Sequence, residues 1–586
     1  MKWIYESEPD KKVLSSLQKQ NKKLEAPLSD PVITLISKLN ITELEDFLFP
    51  DDDFFSPSLI PNIEVASKFI IEAIEKKTPI IIHGDFDADG ITATSILFDF
   101  LYFKCEANVV PYIPSRVDEG YGLSNESLGT ILTKQDGKTK PLIISVDCGV
   151  KDNDLVDDKW YKDFDFIITD HHEMKKVEDK IVYSKKAKAI VHPRFPGSKY
   201  PFQSISGASV AWKLVCQISK DFPKLKGYDP NEYLDLVAIS TICDLMPLLS
   251  ENRKFVKFGL ERLNNTNRLG LIELLKVSGL IENGRIKKLD TYHIGFVIGP
   301  RLNATGRLGK AIDAVKLLCT RSTSQAEKIA SEINNLNIER QNITKELFLE
   351  AKEQANGKLE NRIITIKGKN WPEGIVGLIA GKLTEEFARP SIVFAISEDK
   401  VTASARSTKT FNITETLSHN SKHLIRFGGH AGAAGLSLHA DKLDLFIEEI
   451  TTYTNLNFPV SESGEIEKEL TINLKAEIKE LSLKLAKELS QLEPFGMENP
   501  EPVFSLSNLR VVNISKMGQM GTHIRVTLQD IKSSETISAI GFNMVDKCES
   551  ILPGDKVDLA FNIKINRWNG NESLEILIKD IKKIFA

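Results

Sequence analysis

No apolar run in the 586 residues approaches the ~20 that a bilayer-crossing helix needs, so no membrane partner is expected. The first residues, Met1-Lys2-Trp3-Ile4-Tyr5-Glu6, lack the basic-then-apolar shape of a secretory signal, and a cytoplasmic protein is the expectation. Six cysteines (105, 148, 216, 243, 319, 548) are scattered without a C-x-x-C pair, which supports neither a disulfide framework nor a zinc knuckle. Cys148 and Cys243 stand beside aspartates, where packing of small buried side chains explains them more simply than metal ligation. Net positive charge is missing as well: −5 overall argues against a protein that coats nucleic acid through a global field. Locally the sign reverses. Residues 285–310 hold six Lys or Arg against one Asp, and residues 361–440 hold ten against six acids.

The chain is too long for one core. Residues 1–55 read as a helical N-terminal cap ending in the acidic-aromatic stretch 50–55. Apolar strand-like runs at 79–83, 109–113, 142–147, 165–169 and 189–192 then alternate with helical segments, the signature of a doubly wound parallel sheet, in a domain placed at 56–321. A 3–4 spacing of Ile329, Ile333, Leu336, Arg340, Ile343, Leu347 and Ala351 predicts one long connecting helix over 322–357. A second α/β domain is expected at 358–458, and an oligonucleotide-binding-like β-barrel at 462–586. In the barrel, Val557, Leu559, Phe561, Ile563 and Ile565 alternate at period two before the hairpin signal Asn569-Gly570.

The chemistry is concentrated in acids. His83-Gly84-Asp85-Phe86-Asp87-Ala88-Asp89-Gly90 crowds three carboxylates into five residues directly after a strand. Like charges that close are unfavourable unless a cation sits among them. Asp147 and Asp170-His171-His172 follow later strands, where ligands bind in such sheets, and Asp244 closes the apolar helical run 233–243. The set reads as a divalent-metal phosphoesterase site. Two cations, Mn2+ or Mg2+, ~4 Å apart would supply an activated hydroxide and neutralise the phosphate. Asp85, Asp87, Asp89, Asp147 and Asp244 offer hard oxygen donors, and a histidine such as His171 shifts preference toward manganese. Asp147, on a separate strand, is the choice for the carboxylate that bridges the ions.

In that order, GDFDADG, DCG, DHH and CDLMPL resemble the DHH phosphoesterase superfamily. The resemblance covers roughly 60–586 and extends to the superfamily's bacterial single-strand-specific 5′→3′ DNA exonucleases. It adds Tyr112-Ile113-Pro114-Ser115-Arg116, Gly299-Pro300-Arg301-Leu302-Asn303-Ala304, Ser404-Ala405-Arg406-Ser407 and the run 428–435, GGHAGAAG. It implies that Asp87, Asp89, Asp147, His171 and Asp244 are metal ligands with Asp85 close by. It implies that His172 contacts the scissile phosphate, and that the Gly-Gly-His run belongs to a DHH-associated domain gripping the substrate. His83 has the H-x-x-x-D-x-D spacing of the pyrophosphatase-like members, where this histidine binds metal. In the exonuclease branch the acid matching Asp85 serves instead, so His83 is either a ligand or a strand-end neighbour. The resemblance further implies mononucleotide release in recombination and repair, beside a single-strand-binding protein and a RecQ-type helicase.

The second lobe gives its own reading. Glycines at 428, 429, 432 and 435 let backbone N–H groups approach an anion, and a helix starting near Ala431 would add its positive end. His430 next to Gly429 offers a donor to a phosphate oxygen, and Arg406 forks between the hydroxyls of Ser404 and Ser407 as a cradle for a terminal phosphate. Arg301, Asn303 and Arg116 complete a pocket for the 5′ end or the next phosphates; which arginine holds the end is left open. In the barrel, Trp568 among Arg525, Lys564 and Arg567 offers a stacking surface for single-stranded DNA. The alternative is a superfamily phosphodiesterase of short oligonucleotides or cyclic dinucleotides, against which the terminal barrel speaks. An inactive scaffold is disfavoured because every motif position keeps Asp or His.

Overall fold

The computed structural model describes every residue except Val117, Tyr121, Asp136, Lys138, Asp399, 459–467, Met520, Asn569 and 585–586, and the side chain of Trp568. The chain forms two compact units. One comprises Phe54–Met246 with Glu251–Ile466; the other comprises Met1–Asp53, Pro247–Ser250 and Glu467–Ala586.

The first unit is built on a five-stranded parallel sheet of β1 (Ile80–Gly84), β2 (Val109–Tyr112), β3 (Leu142–Val146), β4 (Asp165–Thr169) and β5 (Ala189–Val191). The order β2-β1-β3-β4-β5 puts a topological switch point between β1 and β3, where a crevice opens beyond the carboxyl ends of the strands. Ile80, Ile81, Ile82, Ile143 and Ile144 are all buried, as a sheet covered on both faces requires. The covering helices include α1 (Ala88–Asp99), α2 (Gly207–Asp221) and α3 (Leu234–Cys243). After α4 (Gly299–Leu308) comes α5 (Thr323–Asn356), a 34-residue helix about 50 Å long. It packs against α4 and against α6 (Glu373–Phe387) of the second lobe.

That lobe's sheet runs β6 (Ile364–Lys369), β7 (Ser391–Ser397), β8 (Lys400–Arg406), β10 (Ala433–His439), β9 (Leu424–His430), with β6–β7 parallel and the other pairs antiparallel. The glycine-rich run is therefore a hairpin, which corrects the helix expected near Ala431. Gly428 pairs with Gly435, Gly429 with Ala434 and His430 with Ala433, leaving Ala431-Gly432 as a two-residue turn. Glycine is among the poorest helix formers, and Gly429 holds φ +151°, which glycine alone adopts comfortably. The next α-helix of this lobe starts at Leu443.

In the other unit, β11 (Phe504–Met517), β12 (His523–Asp530), β13 (Thr536–Gly541), β14 (Lys556–Trp568) and β15 (Asn571–Lys583) close into a five-stranded barrel through the β11–β14 pairing. The expected hairpin joins β14 to β15 with Trp568 opposite Asn571; Asn569 itself lies outside the described residues. The N-terminal segment is helical over Lys11–Asn21, Asp30–Lys38 and Leu44–Leu48, but begins with a strand. Lys2–Tyr5 pairs in parallel with Glu469–Ile472, Trp3 donates through Nε1 to Asp580 at 2.6 Å, and the helices share one apolar core with the barrel.

Candidate metal centre and its surroundings

The acidic loop after β1 is shaped by its own carboxylates. Asp87 caps α1, Oδ1 accepting from the amides of Asp89 at 2.9 Å and Gly90 at 3.1 Å. Asp89 accepts from the amides of Gly207 and Ala208 at 2.7 and 2.8 Å, at the start of α2, and from Ser240 Oγ at 2.6 Å. Asp147, just past β3, sits at φ +60°, a left-handed conformation that aspartate tolerates better than most side chains. A Cβ placed on Gly207 would stand 2.6 Å from that of Asp147, so only glycine allows α2 to approach.

These elements bring the predicted acids together. Ligand atoms of Asp85, Asp87 and Asp147 lie within 4.8 Å of one another, as do those of Asp89, His171 and Asp244, and those of Asp147, His171 and His172. His171 Nε2 is 3.1 Å from Asp147 Oδ1 and 3.5 Å from both Asp89 Oδ2 and Asp244 Oδ2. Burial, then the neighbouring carboxylates, hold Asp85 and Asp147 far above the usual carboxylate range and push Asp244 up to about 9. Burial keeps His171 neutral, its pKa lowered to about 4. Asp85 Oδ1, Asp147 Oδ1, both His171 ring nitrogens and Asp244 Oδ2 are buried without a hydrogen-bond partner. Orphaned polar atoms of this kind are costly, and several converging on one point are the donor set of a cation. The residues fit a divalent pair.

Asp170, which the sequence places in the motif without a role of its own, organises the histidines. Its Oδ1 accepts from the amides of His171 and His172 and lies 2.8 Å from His172 Nδ1, while Oδ2 accepts from Val150 N. Burial opposes its charge, yet the hydrogen bond and charge of His172 outweigh burial and hold the carboxyl well below its ordinary range. For His172 burial likewise opposes ionisation, but Asp170 raises the imidazole to about 9. His83 points elsewhere. It is fully buried, its Nε2 3.2 Å from Ser127 Oγ and its Nδ1 3.8 Å from Cys148 Sγ, and it joins no metal-competent group among the described residues.

Cations border the acids. Burial, followed by Arg116, Arg340 and Arg406, lowers Arg307 to about 10, while Asp87 pulls the other way. Burial lowers Arg116, offset by Asp85, Glu373 and Asp87, and its guanidinium lies 4.9 Å over the Phe86 ring. Arg406 donates to Ser404 Oγ at 3.0 Å and to Ala405 O at 2.9 Å. His430 is lowered by burial, then by Arg406 and Lys151. Gly429 holds the hairpin that presents it. Arg301 and Asn303 are tied into the scaffold: Arg301 donates to Asn334 Oδ1 and Val297 O, and Asn303 Oδ1 accepts from Ala88 N beside the acidic loop. Arg307 and Arg340 were missed, the first counted only as local charge and the second read as a helix stem. The Trp568 side chain lies outside the description, so its stacking role has no geometry here.

Three family models match: the DHH family N-terminal domain over residues 79–241, the DHHA1 domain over 360–455 and the RecJ OB domain over 472–580. The single-stranded-DNA-specific exonuclease RecJ of Bacillus subtilis (strain 168) is 37% identical, covering 95% of this chain and 70% of the relative. That of Haemophilus influenzae is 30% identical, covering 95% and 96%. The crystal structure of Thermus thermophilus RecJ with Mn2+ superposes with a TM-score of 0.81 at 27% identity, covering 100% of this chain and 80% of that one; the same protein with Mg2+ gives 0.76. With its acids, histidines and arginines converging at the switch point of a DHH sheet, the chain belongs to the RecJ family of the DHH superfamily.

Proposed function

We propose that the protein degrades single-stranded DNA from its 5′ end to mononucleotides, with two Mn2+ or Mg2+ ions, in recombination and repair. The observation that carries this is the set of buried, unpartnered donors from Asp85, Asp147, His171 and Asp244 meeting at one point beside an arginine cluster. When bound, the cations supply Lewis acidity at the scissile phosphate and a nucleophile at neutral pH. Asp85 and Asp87 would hold one ion, and Asp89, His171 and Asp244 the other. Asp147, grouped with Asp85 and Asp87 and in contact with His171, would serve both. Asp170 fixes the His172 ring through Nδ1, and Nε2 is assigned to the phosphate as charge develops. Arg406 with Ser404, Arg116, Arg301, Asn303 and Arg307 guide the backbone, and Gly429 positions His430 against it.

Sequence-independent binding by the barrel, with Trp568 as a stacking residue, belongs to the same reading. So do a cytoplasmic setting and partnership with a single-strand-binding protein and a RecQ-type helicase. Among the described residues no helix is long and apolar enough to cross a membrane. The test is digestion of single and double strands labelled at either end, with Mn2+, Mg2+ or chelator. The 5′ label of the single strand should leave first, as a mononucleotide, only with metal. Hydrolysis of dinucleotides alone would transfer the protein to the short-oligonucleotide class.

A further inference from the structure

Tyr292 and Phe296 stack on each other, centroids 5.0 Å apart with 25° between ring planes, yet remain 60% and 69% exposed. Contiguous apolar surface left in water is a mark of interaction sites, whereas singly exposed hydrophobic side chains are ordinary. Tyr292 lies in the helical turn Thr291–His293 and Phe296 in the π-helical turn Ile294–Ile298, which runs directly into α4 with Arg301, Asn303 and Arg307. Such π turns recur at functional sites. This one packs on α3, whose end carries Asp244: Cβ atoms on Gly295 and Gly299 would stand 3.6 Å from Ile242 Cγ2 and 2.4 Å from Cys243 Sγ. Leu245, right after Asp244, is 65% exposed at φ +54°, an uncommon conformation for a leucine. Immediately before the pair, Arg285, Lys287 and Lys288 are exposed.

Aromatic faces that follow exposed cations along the chain, on a turn packed against the helix that ends at Asp244, fit one occupant: unstacked bases of a single strand whose backbone the cations follow. We infer that Tyr292 and Phe296 form a stacking platform for the bases adjoining the hydrolysed phosphate, an inference that rests on the exonuclease reading. The platform explains preference for single strands in physical terms, since bases paired in a duplex keep their faces covered.

The experiment compares the wild type, Tyr292→Ala/Phe296→Ala and Tyr292→Phe/Phe296→Tyr. Binding of a short 5′-phosphorylated oligothymidylate is measured in chelator, alongside strands carrying one abasic residue at successive positions; KM and kcat are measured with metal. Each lost stack should weaken binding about 5- to 100-fold. The alanine variant should bind the intact strand at least about tenfold more weakly, with KM rising and kcat little changed. It should also be indifferent to an abasic residue at the position where the wild type is penalised, while the aromatic swap keeps wild-type affinity. Unchanged affinity, or equal losses on intact and abasic strands, would overturn the platform even if the enzyme degrades DNA normally. A wild type that binds the strand tightly but hydrolyses none of it would sink the exonuclease reading and, with it, the platform's place beside a hydrolysed phosphate, while the abasic series would still report whether the pair stacks bases. Failure to bind at all would remove both.

Discussion

The carboxylate cluster and the arginine cluster are both crowds of like charge, but the chain assembles them differently. Acids come as short consecutive motifs, Asp85-Phe86-Asp87-Ala88-Asp89 after β1 and Asp170-His171-His172 after β4, the two parallel strands that flank β3 and its Asp147. Arg116, Arg307, Arg340 and Arg406 come one each from a loop, α4, α5 and the end of β8. The acids leave orphaned buried oxygens, whereas Arg307 and Arg406 spend donors on Gly374 O, Ser404 Oγ and Ala405 O. A site for small cations must be rigid and close-set; a track for a polyanion needs only a run of positive potential, which separate elements can provide. The acids should therefore govern chemistry and the arginines engagement.

Asp147→Ala is the sharpest way to break that division. Losing the carboxylate proposed to bridge the ions should lower kcat by at least about 10³-fold, given the several kcal/mol that metal-borne charge stabilisation supplies. Single-strand affinity in chelator should stay within about twofold, measured by fluorescence anisotropy. Retained turnover would remove Asp147 from the bridge. From the other side, Arg406→Ala removes one charge-assisted contact, of about 1.5–3 kcal/mol. Here kcat/KM on 5′-phosphorylated strands should fall about 10- to 100-fold, with kcat on saturating substrate much less affected. Loss confined to kcat would erase the distinction between the clusters.

Asp170→Asn tests whether an acid outside the metal donors acts through its neighbours. The amide still accepts from the His171 and His172 backbones but carries no charge, so the folded-state rise of His172 should shrink. Partners of this type typically contribute about tenfold or more to activity. The expected outcome is a kcat lower by about tenfold and a His172 imidazole resonance titrating below the wild-type position in metal-free protein. A kcat loss without that movement would make Asp170 merely structural.

Much of the candidate metal centre was legible because sheet periodicity and acid position coincide: the strand Ile80–Gly84 ends where Asp85 begins. The arginines were harder to read, since Arg307 and Arg340 look from sequence like ordinary helix surface, and only tertiary packing, such as the bond from Arg307 to Gly374 O of α6, half-buries them. Asp170 stood in plain view within the DHH triplet, but its hydrogen bonds depend on a tight turn that spacing does not reveal. The N-terminal strand was invisible for another reason. Lys2–Tyr5 pairs with Glu469–Ile472, more than 460 residues away along the chain, and four residues carry too little pattern to announce a partner.

The hairpin of the second lobe offers the mildest test of the comparison, because its glycines serve geometry rather than charge. A Cβ on Gly429 would lie 2.2 Å from Ala433 O, and the residue holds φ +151°. Gly429→Ala should therefore strain the β9–β10 pair by about 1–3 kcal/mol and tilt His430 away from the arginines. The expected readouts are a KM raised a few-fold, an unchanged kcat and faster amide exchange between Gly428 and Ala434. Gly428→Ala makes the control, since an added Cβ there meets nothing within 4 Å. If both variants behave alike, the backbone of this turn has no part in gripping the strand, and engagement rests on the guanidinium groups alone.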